Sequence, residues 1–302
     1  MEPFGILLLH KEAGMTSHTA CARARRLLGV DKTGHTGTLD PMAMGLLPIL
    51  VGRGVKAAEY MIEKDKRYRA TMTLGLVSDT EDSTGQVREV CPPDKLPEAE
   101  AVLKAVSAMR GVREQVPPMY SAVQVGGVRL MDLARKGETV DRPSRTVEIY
   151  DISAKPLSKS TYEVDVHCSK GTYIRTLCAE IGQALGCGAI MSGLVRTQVS
   201  GFALEDAVTL GELEQMTPAR RLGRVLSLED TFFASLPAYT YPPFYETLAK
   251  NGARVLTRKL KGCPTETGAR VRLRDSEGMF ALGEVVDTDE GPALAVIKRF
   301  RI

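Results

Sequence analysis

One glycine-rich stretch carries most of the residues that could do chemistry. Residues 34–45 read Gly-His-Thr-Gly-Thr-Leu-Asp-Pro-Met-Ala-Met-Gly, with one carboxylate, Asp40, near the centre. A loop carboxylate can act as a nucleophile or stabilise an electron-poor carbon, but an isolated one is more often a turn or cap residue. His35 by itself is typical of a hydrogen-bonded loop histidine. The local sequence leaves a structural and a catalytic interpretation open.

Motifs for common cofactors are missing from the sequence. There is no GxxxxGK[ST] phosphate loop, no GxGxxG dinucleotide fingerprint and no HExxH zinc-protease motif. The six cysteines contain no CxxC pair, which indicates reduced, mostly buried thiols rather than zinc ligands or disulfides. We therefore expect a reaction that uses side chains alone, without a metal or a cofactor.

The elements before this stretch must hold it in place. Residues 18–28 have helical spacing, with Thr16 or Ser17 as the predicted cap and Gly29 just past the last turn. The proline that follows Asp40 disfavours helical geometry at the carboxylate. Asp40 is therefore expected on a loop between structured segments.

The rest of the chain mixes short strands and helices. Strand patterns occur at residues 6–9, 68–74, 146–151, 162–168 and 193–199, and helical spacing occurs at residues 96–109 and 176–185. Without regular alternation of strand and helix, this order predicts an α+β fold with a mixed, largely antiparallel sheet and flanking helices. Residues 112–145 break the pattern and predict an excursion from the core.

A Pro- and Tyr-rich segment near residue 237 predicts a boundary between two domains, 1–237 and 238–302. Short β segments follow it, including residues 270–274, where arginines alternate with apolar residues, and they predict a small β-barrel. Arg270, Arg272 and Arg274 would share one face of that barrel, either to bind a partner or merely as exposed charges.

Composition places the chain among globular proteins, with 43% apolar and 25% charged residues. No apolar run approaches the roughly 20 residues of a membrane span, and no secretion signal is recognisable, so we expect a cytoplasmic protein. The net charge is only +3, with slightly basic ends. This permits a polyanionic partner but does not establish one.

The glycine-rich stretch closely resembles the signature G-H-T-G-x-L-D-P-x-A-x-G-x-L-P of the TruB family of tRNA pseudouridine synthases. Further blocks of the family follow in order at residues 66–70, 78–85, 117–122, 171–177 and 192–197. The N-terminal block departs from the family pattern, because Glu12 replaces a proline, and Ser78 replaces a threonine. The resemblance becomes loose after about residue 205.

The resemblance implies a cofactor-free isomerase that converts uridine 55 of the tRNA T-loop to pseudouridine. Asp40 matches the essential aspartate, which acts on the ribose C1′ or on the uracil ring. Arg175 matches its arginine partner, expected as a bidentate fork that orients the carboxylate and keeps it ionised. Tyr68 matches an aromatic residue that packs on the target base and can accept a proton.

The same resemblance assigns RNA-binding roles to further residues. Tyr173 and Leu194 would line the uracil pocket, and His35 would fill the space of a base swung out of its stack. The block residues Gly37, Thr38 and Lys66 are also expected to bind substrate. The excursion resembles an insertion that grips the RNA loop, with candidate phosphate contacts at Arg129, Arg135, Lys136, Arg142 and Arg145.

The resemblance also implies a pseudouridine synthase-like fold for residues 1–237 and a PUA-like RNA-binding module for residues 238–302. The expected partner is the T-arm stem-loop of tRNA, bound by a monomer without an obligate protein partner. One alternative is an RNA-binding or tRNA-folding chaperone on the same scaffold. Another is a carboxylate glycosidase, which would need a second acid such as Asp79 or Glu81.

Overall fold

The computed structural model describes residues 4–62 and 64–301. In chain order its first strands are β1 (Gly5–Lys11), β2 (Thr33–His35), β3 (Met44–Val51), β4 (Lys66–Leu74), β5 (Leu76–Ser78), β6 (Val87–Glu89), β7 (Gly111–Gln115), β8 (Gln124–Val125) and β9 (Val128–Arg129). The later strands are β10 (Arg145–Pro156), β11 (Thr161–Cys168), β12 (Ala189–Val199), β13 (Phe202–Ala203), β14 (Val225–Leu226), β15 (Ala238–Thr240), β16 (Val255–Leu256), β17 (Arg270–Asp275), β18 (Gly278–Val286) and β19 (Ala293–Arg299).

The helices are short. They are α1 (Ser17–Leu28), α2 (Ala58–Ile62), α3 (Ala99–Ser107), α4 (Leu130–Ala134), α5 (Ile174–Ala184), α6 (Leu210–Gln215), α7 (Pro218–Leu222) and α8 (Pro243–Lys250). Within the described ranges, none of them has the length and apolar character needed to cross a membrane.

A mixed ten-stranded sheet forms the centre of the fold. Its main path runs β14-β1-β3-β12-β4-β11-β10-β7, with β2 beside β3 and β13 beside β12. The pairing of β3 with β12 is parallel, and the other pairings along this path are antiparallel. The parallel pair therefore joins two antiparallel halves. This arrangement confirms the expected α+β class with a largely antiparallel sheet.

The first strand and helix form as their sequences predict. Leu7 and Leu9 of β1 enter one hydrophobic cluster, while Ile6 and Leu8 enter another, so both faces of the strand are buried. A continuous apolar run is the pattern expected of such a strand. At the start of α1 the Thr16 hydroxyl accepts a hydrogen bond from the helix backbone, and Gly29 ends the helix in the left-handed conformation.

The predicted excursion leaves the sheet between β7 and β10. Residues 112–115 belong to β7 and pair with β10, so the irregular part covers residues 116–144. It contains the hairpin of β8 and β9 and the short helix α4. Both ends of the excursion are thus fixed by adjacent strands of the large sheet.

A second, five-stranded sheet follows at the C-terminal end of the chain. Its order is β15-β17-β18-β19-β16, a path with two ends rather than a closed ring among the described residues. Leu282 and Phe300 of this unit share a hydrophobic cluster with Ile6 and Leu8 of β1. The C-terminal unit and the large sheet therefore contribute to one hydrophobic cluster.

The arginines of β17 are held by groups of the protein itself. Arg270 lies 2.7 Å from a carboxylate oxygen of Glu284, and Arg274 lies 2.8 Å from one of Glu229. Arg272 donates to the backbone oxygens of Leu236 and Glu229. The three arginines that the sequence predicts on this strand are present and contact neighbouring protein groups, although the side chains of Arg270 and Arg274 remain 47% exposed.

The parallel junction of the large sheet requires glycine at position 45. Gly45 has φ +106°, and a Cβ there would lie 2.3 Å from the backbone oxygen of Arg196. We expect Gly45→Ala to lower the free energy of unfolding by about 2–4 kcal/mol, measured by urea denaturation. Gly211→Ala in α6 is the control, because its nearest contact is 3.9 Å away. A cost at position 45 no larger than at position 211 would contradict this account.

Candidate active site

A cavity of about 630 Å³ opens at the junction of the two halves of the sheet. The sequence-predicted site residues that line it are Gly37, Thr38, Asp40, Lys66, Tyr68, Arg145, Tyr173, Arg175 and Leu194. They come from the loop before β3, from β4, β10 and β12, and from the start of α5 with the residue that precedes it. The cavity therefore brings together residues that are far apart in the chain.

Asp40 and Arg175 form the ion pair at the centre of this cavity. The Arg175 Nε atom lies 3.1 Å from Asp40 Oδ2. The other two guanidinium nitrogens donate to backbone oxygens, Nη1 to Thr80 at 3.0 Å and Nη2 to Tyr120 at 2.9 Å. The predicted pairing is present, but the expected bidentate fork is wrong, because these carbonyls occupy the rest of the guanidinium.

A second carboxylate, Asp82, approaches the same guanidinium. Its Oδ2 lies 3.6 Å from Arg175 Nη1, and only 4% of the side chain is exposed. Its Oδ1 accepts hydrogen bonds from the hydroxyls of Thr80 and Thr84 and from the Thr84 backbone. Asp82 therefore braces the turn whose Thr80 carbonyl binds Arg175. The sequence block 78–85 contains Asp82, but the family resemblance assigned this residue no role.

The other acids of this turn serve local structure. Asp79 accepts a hydrogen bond from the backbone of Gln86, and Glu81 accepts one from the hydroxyl of Thr176. Neither is among the described residues that line the cavity. The second acid that the glycosidase alternative requires is thus not supplied by either candidate.

Buried polar side chains form hydrogen bonds with the backbone of the loop that carries Asp40. The Ser17 hydroxyl donates to the Leu39 carbonyl and accepts from the Leu39 N–H. The Lys11 ammonium donates to the Ala43 carbonyl at 2.6 Å and to the Pro41 carbonyl at 3.3 Å. These contacts hold the backbone on both sides of Asp40. Lys11 also donates to the backbone oxygen of Glu12, the residue that replaces the family's proline.

Burial controls the charges around the loop. It raises the pKa of Asp40 above 3.8, with Arg175 opposing the increase and Asp82 adding to it. It also lowers the pKa of Lys11 to about 8, although the negative charge of Asp40 acts in the other direction. Arg175 therefore orients Asp40, but its charge does not overcome the cost of removing the carboxylate from water.

Tyr68 lies in the cavity wall beside a buried arginine that sequence reasoning missed. Arg196 donates to the backbone oxygens of Leu46 and Gly37, and it lines the same cavity as Tyr68. Burial raises the pKa of Tyr68, against the effect of Arg196. Tyr68 is therefore a neutral phenol at neutral pH, which suits stacking on a base better than accepting a proton as a tyrosinate. Arg196 lies in the sequence block 192–197, but the family resemblance assigned it no role.

Tyr173 is positioned next to the excursion. The Arg145 guanidinium carbon lies 5.6 Å from the centre of the Tyr173 ring, a cation–π contact. Arg145 is the only one of the five predicted phosphate-binding residues among the described residues that line the cavity. Arg129, Arg135 and Lys136 are exposed, and Arg142 donates to the backbone oxygen of Pro117.

His35 faces a second cavity on the other side of the glycine-rich loop. This cavity has a volume of about 980 Å³ and is lined by the basic side chains of His18, Arg25, Lys32, Arg53 and Lys56. The Nδ1 atom of His35 is buried without a hydrogen-bond partner among the described residues. Burial lowers the pKa of His35, and the positive charge of Arg196 adds to this effect. The imidazole is therefore neutral at neutral pH.

Comparison with known families and structures identifies the family of the chain. A family model described as the TruB family pseudouridylate synthase N-terminal domain matches residues 25–174. A model described as the tRNA pseudouridylate synthase B C-terminal domain matches residues 175–227. The chain belongs to the TruB family of pseudouridylate synthases, which are isomerases that make pseudouridine from uridine.

The relatives match most of the chain. It is 40% identical over 285 residues to tRNA pseudouridine synthase B of Nitrosococcus oceani, covering 94% of this chain and 91% of the relative. It is 46% identical over 215 residues to tRNA pseudouridine synthase B of Bacillus subtilis, covering 70% of each. Among solved structures, a chain of a Cbf5-Nop10-Gar1 complex has a TM-score of 0.71 and 25% identity, covering 99% of this chain and 85% of that one.

Removing the charge of Asp82 should disturb Arg175, and it also removes the contribution of Asp82 to the raised pKa of Asp40. We expect Asp82→Asn to reduce the rate of the chemical step at least about tenfold, because the turn that holds the guanidinium loses its buried anion. Single-turnover kinetics at saturating RNA would measure this effect. Asp79→Asn is the matched control in the same turn, because Asp79 does not contact Arg175. Equal rates for the two variants would refute the assignment.

The raised pKa of Asp40 predicts the pH dependence of the reaction. A carboxylate with a raised pKa loses its charge at a higher pH than an ordinary aspartate, so activity should fall as the pH decreases through that raised value. The acid limb of kcat/KM, which reports the free enzyme, should lie above pH 3.8. RNA affinity measured over the same range separates binding from catalysis. An acid limb at or below 3.8 would contradict the prediction.

Proposed function

We propose that this protein isomerises the uridine at position 55 in the T-loop of tRNA to pseudouridine. The observation that carries the proposal is the ion pair of Asp40 and Arg175 inside a cavity of about 630 Å³. That volume lies within the range of about 300–1,000 Å³ typical of sites for small organic groups. The names of the relatives, tRNA pseudouridine synthase B, support tRNA as the substrate.

The reaction moves one bond and needs no net input of atoms or electrons. The bond between ribose C1′ and uracil N1 breaks, a bond between C1′ and C5 forms, and the C5 proton leaves to solvent while N1 gains one. In this proposal Asp40, as the carboxylate, acts at C1′ or at the uracil ring. Arg175 orients it through the ion-pair contact of its Nε atom. The side chains do this without a cofactor.

The target uridine must leave the stack of its loop to reach Asp40. Tyr68 and Leu194, both less than 10% exposed, would pack on the flipped base, and Tyr173 would close the wall opposite. Gly37 and Thr38 would line its path, and Lys66 would fix the wall by binding the backbone oxygens of Ile62 and Lys64. His35, neutral and partly buried, would stack on the bases beside the gap.

The RNA backbone would contact the basic residues around the two cavities. The second cavity presents five of them on the side of His35, and Arg145 lies at the mouth of the first cavity. The excursion would grip the loop, with Arg129, Arg135, Lys136 and Arg142 as further phosphate contacts.

Residues 1–237 would form the catalytic domain.

Residues 238–302 would form a PUA-like RNA-binding module. Because the arginines of β17 are held by protein groups, its RNA contacts would lie on other surfaces of this unit. The protein would act as a monomer in the cytoplasm, where tRNA is processed, without an obligate protein partner.

Release of label from uracil C5 tests the proposal directly. The protein is incubated with unmodified tRNA that carries tritium at C5, without added metal or nucleotide, and tritium should enter the solvent. A T-arm stem-loop with position 55 replaced by cytidine should release none. Full RNA binding without any release would favour the chaperone alternative.

Replacing the carboxylate isolates its role. Asp40→Asn should abolish turnover while RNA affinity stays within about tenfold, or roughly 1.4 kcal/mol, because the lost charge acts on the reacting atoms and not on the RNA backbone. Asp79→Asn serves as the exposed-carboxylate control and should turn over like the wild type. Persistent turnover by Asp40→Asn would refute the assignment of Asp40.

A further inference from the structure

Gln115 joins the excursion to the residue that precedes α5. It is the last residue of β7, and only 2% of it is exposed. Its Oε1 accepts a hydrogen bond from the Tyr173 N–H at 2.7 Å, and its Nε2 donates to the Tyr173 carbonyl at 3.1 Å. Both polar groups of one side chain thus bind the backbone of a single residue 58 positions away.

The backbone of Tyr173 determines where Arg175 lies. Tyr173 is the N-cap residue of α5 and has no side-chain cap bond of its own, and Arg175 is the second residue of the helix. Since the Arg175 guanidinium contacts Asp40 through Nε, with its other two nitrogens on the carbonyls of Thr80 and Tyr120, a small shift of the helix start changes that contact. Gln115 therefore supplies an anchor that the helix lacks locally.

Both ends of the excursion converge on this point. Arg145, the last residue of the excursion, pairs with Gln115 in the register of β7 and β10 and stacks on the ring of Tyr173. Tyr120, near its beginning, accepts a hydrogen bond from Arg175 through its backbone oxygen. A displacement of the excursion would consequently reach the catalytic ion pair through two short paths, by way of Tyr173 and by way of Tyr120.

We propose that Gln115 is a positioning residue for the isomerisation: its amide fixes the backbone of Tyr173 and so couples the placement of the excursion to the contact between Arg175 and Asp40. This inference rests on the proposed function and deepens it. Gln115 is not among the described residues that line the cavity, so it acts through Tyr173 and does not touch the reacting nucleotide.

Two variants test the coupling. Gln115→Leu removes both hydrogen bonds at similar size, and Gln115→Glu keeps an acceptor for the Tyr173 N–H but turns a second acceptor toward its carbonyl. We expect both to lower the single-turnover rate at saturating T-arm RNA about tenfold to a hundredfold, with RNA affinity within about threefold of wild type. Thermal unfolding confirms that each variant is folded at the assay temperature.

Glu114→Gln is the matched control on the same strand. Glu114 is exposed and accepts hydrogen bonds from Ser144 and Thr146, but it does not contact Tyr173. Its rate should remain that of wild type. A wild-type rate in either folded Gln115 variant, or weaker RNA binding with an unchanged rate, would overturn the inference. If the wild-type protein itself releases no label, the proposed function fails, and the inference fails with it.

Discussion

The site depends on how one buried guanidinium is shared. Arg175 is almost inaccessible to solvent, and its nitrogens are divided among Asp40, Asp82 and the carbonyls of Thr80 and Tyr120. Because a buried cation must be hydrogen-bonded and compensated, these groups lie where the arginine requires them. Asp40 contacts this guanidinium through its Nε atom, and 37% of the Asp40 side chain is exposed, so its carboxylate can accept hydrogen bonds from a ligand.

This arrangement destabilises the fold but holds the Asp40 carboxylate in position to react. Burial raises the pKa of Asp40 and lowers that of Lys11, so each charge is less favourable in the fold than in water. The hydrogen bonds of Ser17 and Lys11 to the backbone of the Asp40 loop hold these unfavourably buried charges in place. Such local costs are typical of functional sites that rigid neighbours support.

The sequence predicted those parts of the molecule whose signals are local. The strand at β1, the helix α1 with its cap and terminal glycine, and the loop position of Asp40 follow from patterns within a few residues. The family resemblance then identified the partner Arg175. The contacts of Asp82, Lys11 and Arg196 were missed, because each joins segments that only the tertiary fold brings together. The bidentate fork was wrong for the same reason: the competing carbonyls are main-chain atoms with no sequence signature.

The shared hydrophobic cluster of the two sheets has a consequence for the autonomy of the C-terminal unit. Leu282 and Phe300 lie in the same hydrophobic cluster as Ile6 and Leu8 of β1, and β1 lies next to the strand that follows the Asp40 loop. A chain shortened before β17 would leave this apolar surface in water, where it would favour self-association. The C-terminal sheet thus supplies part of an apolar cluster to which the large sheet also contributes, and an exchange of this unit would have to replace Leu282 and Phe300 with side chains of similar volume.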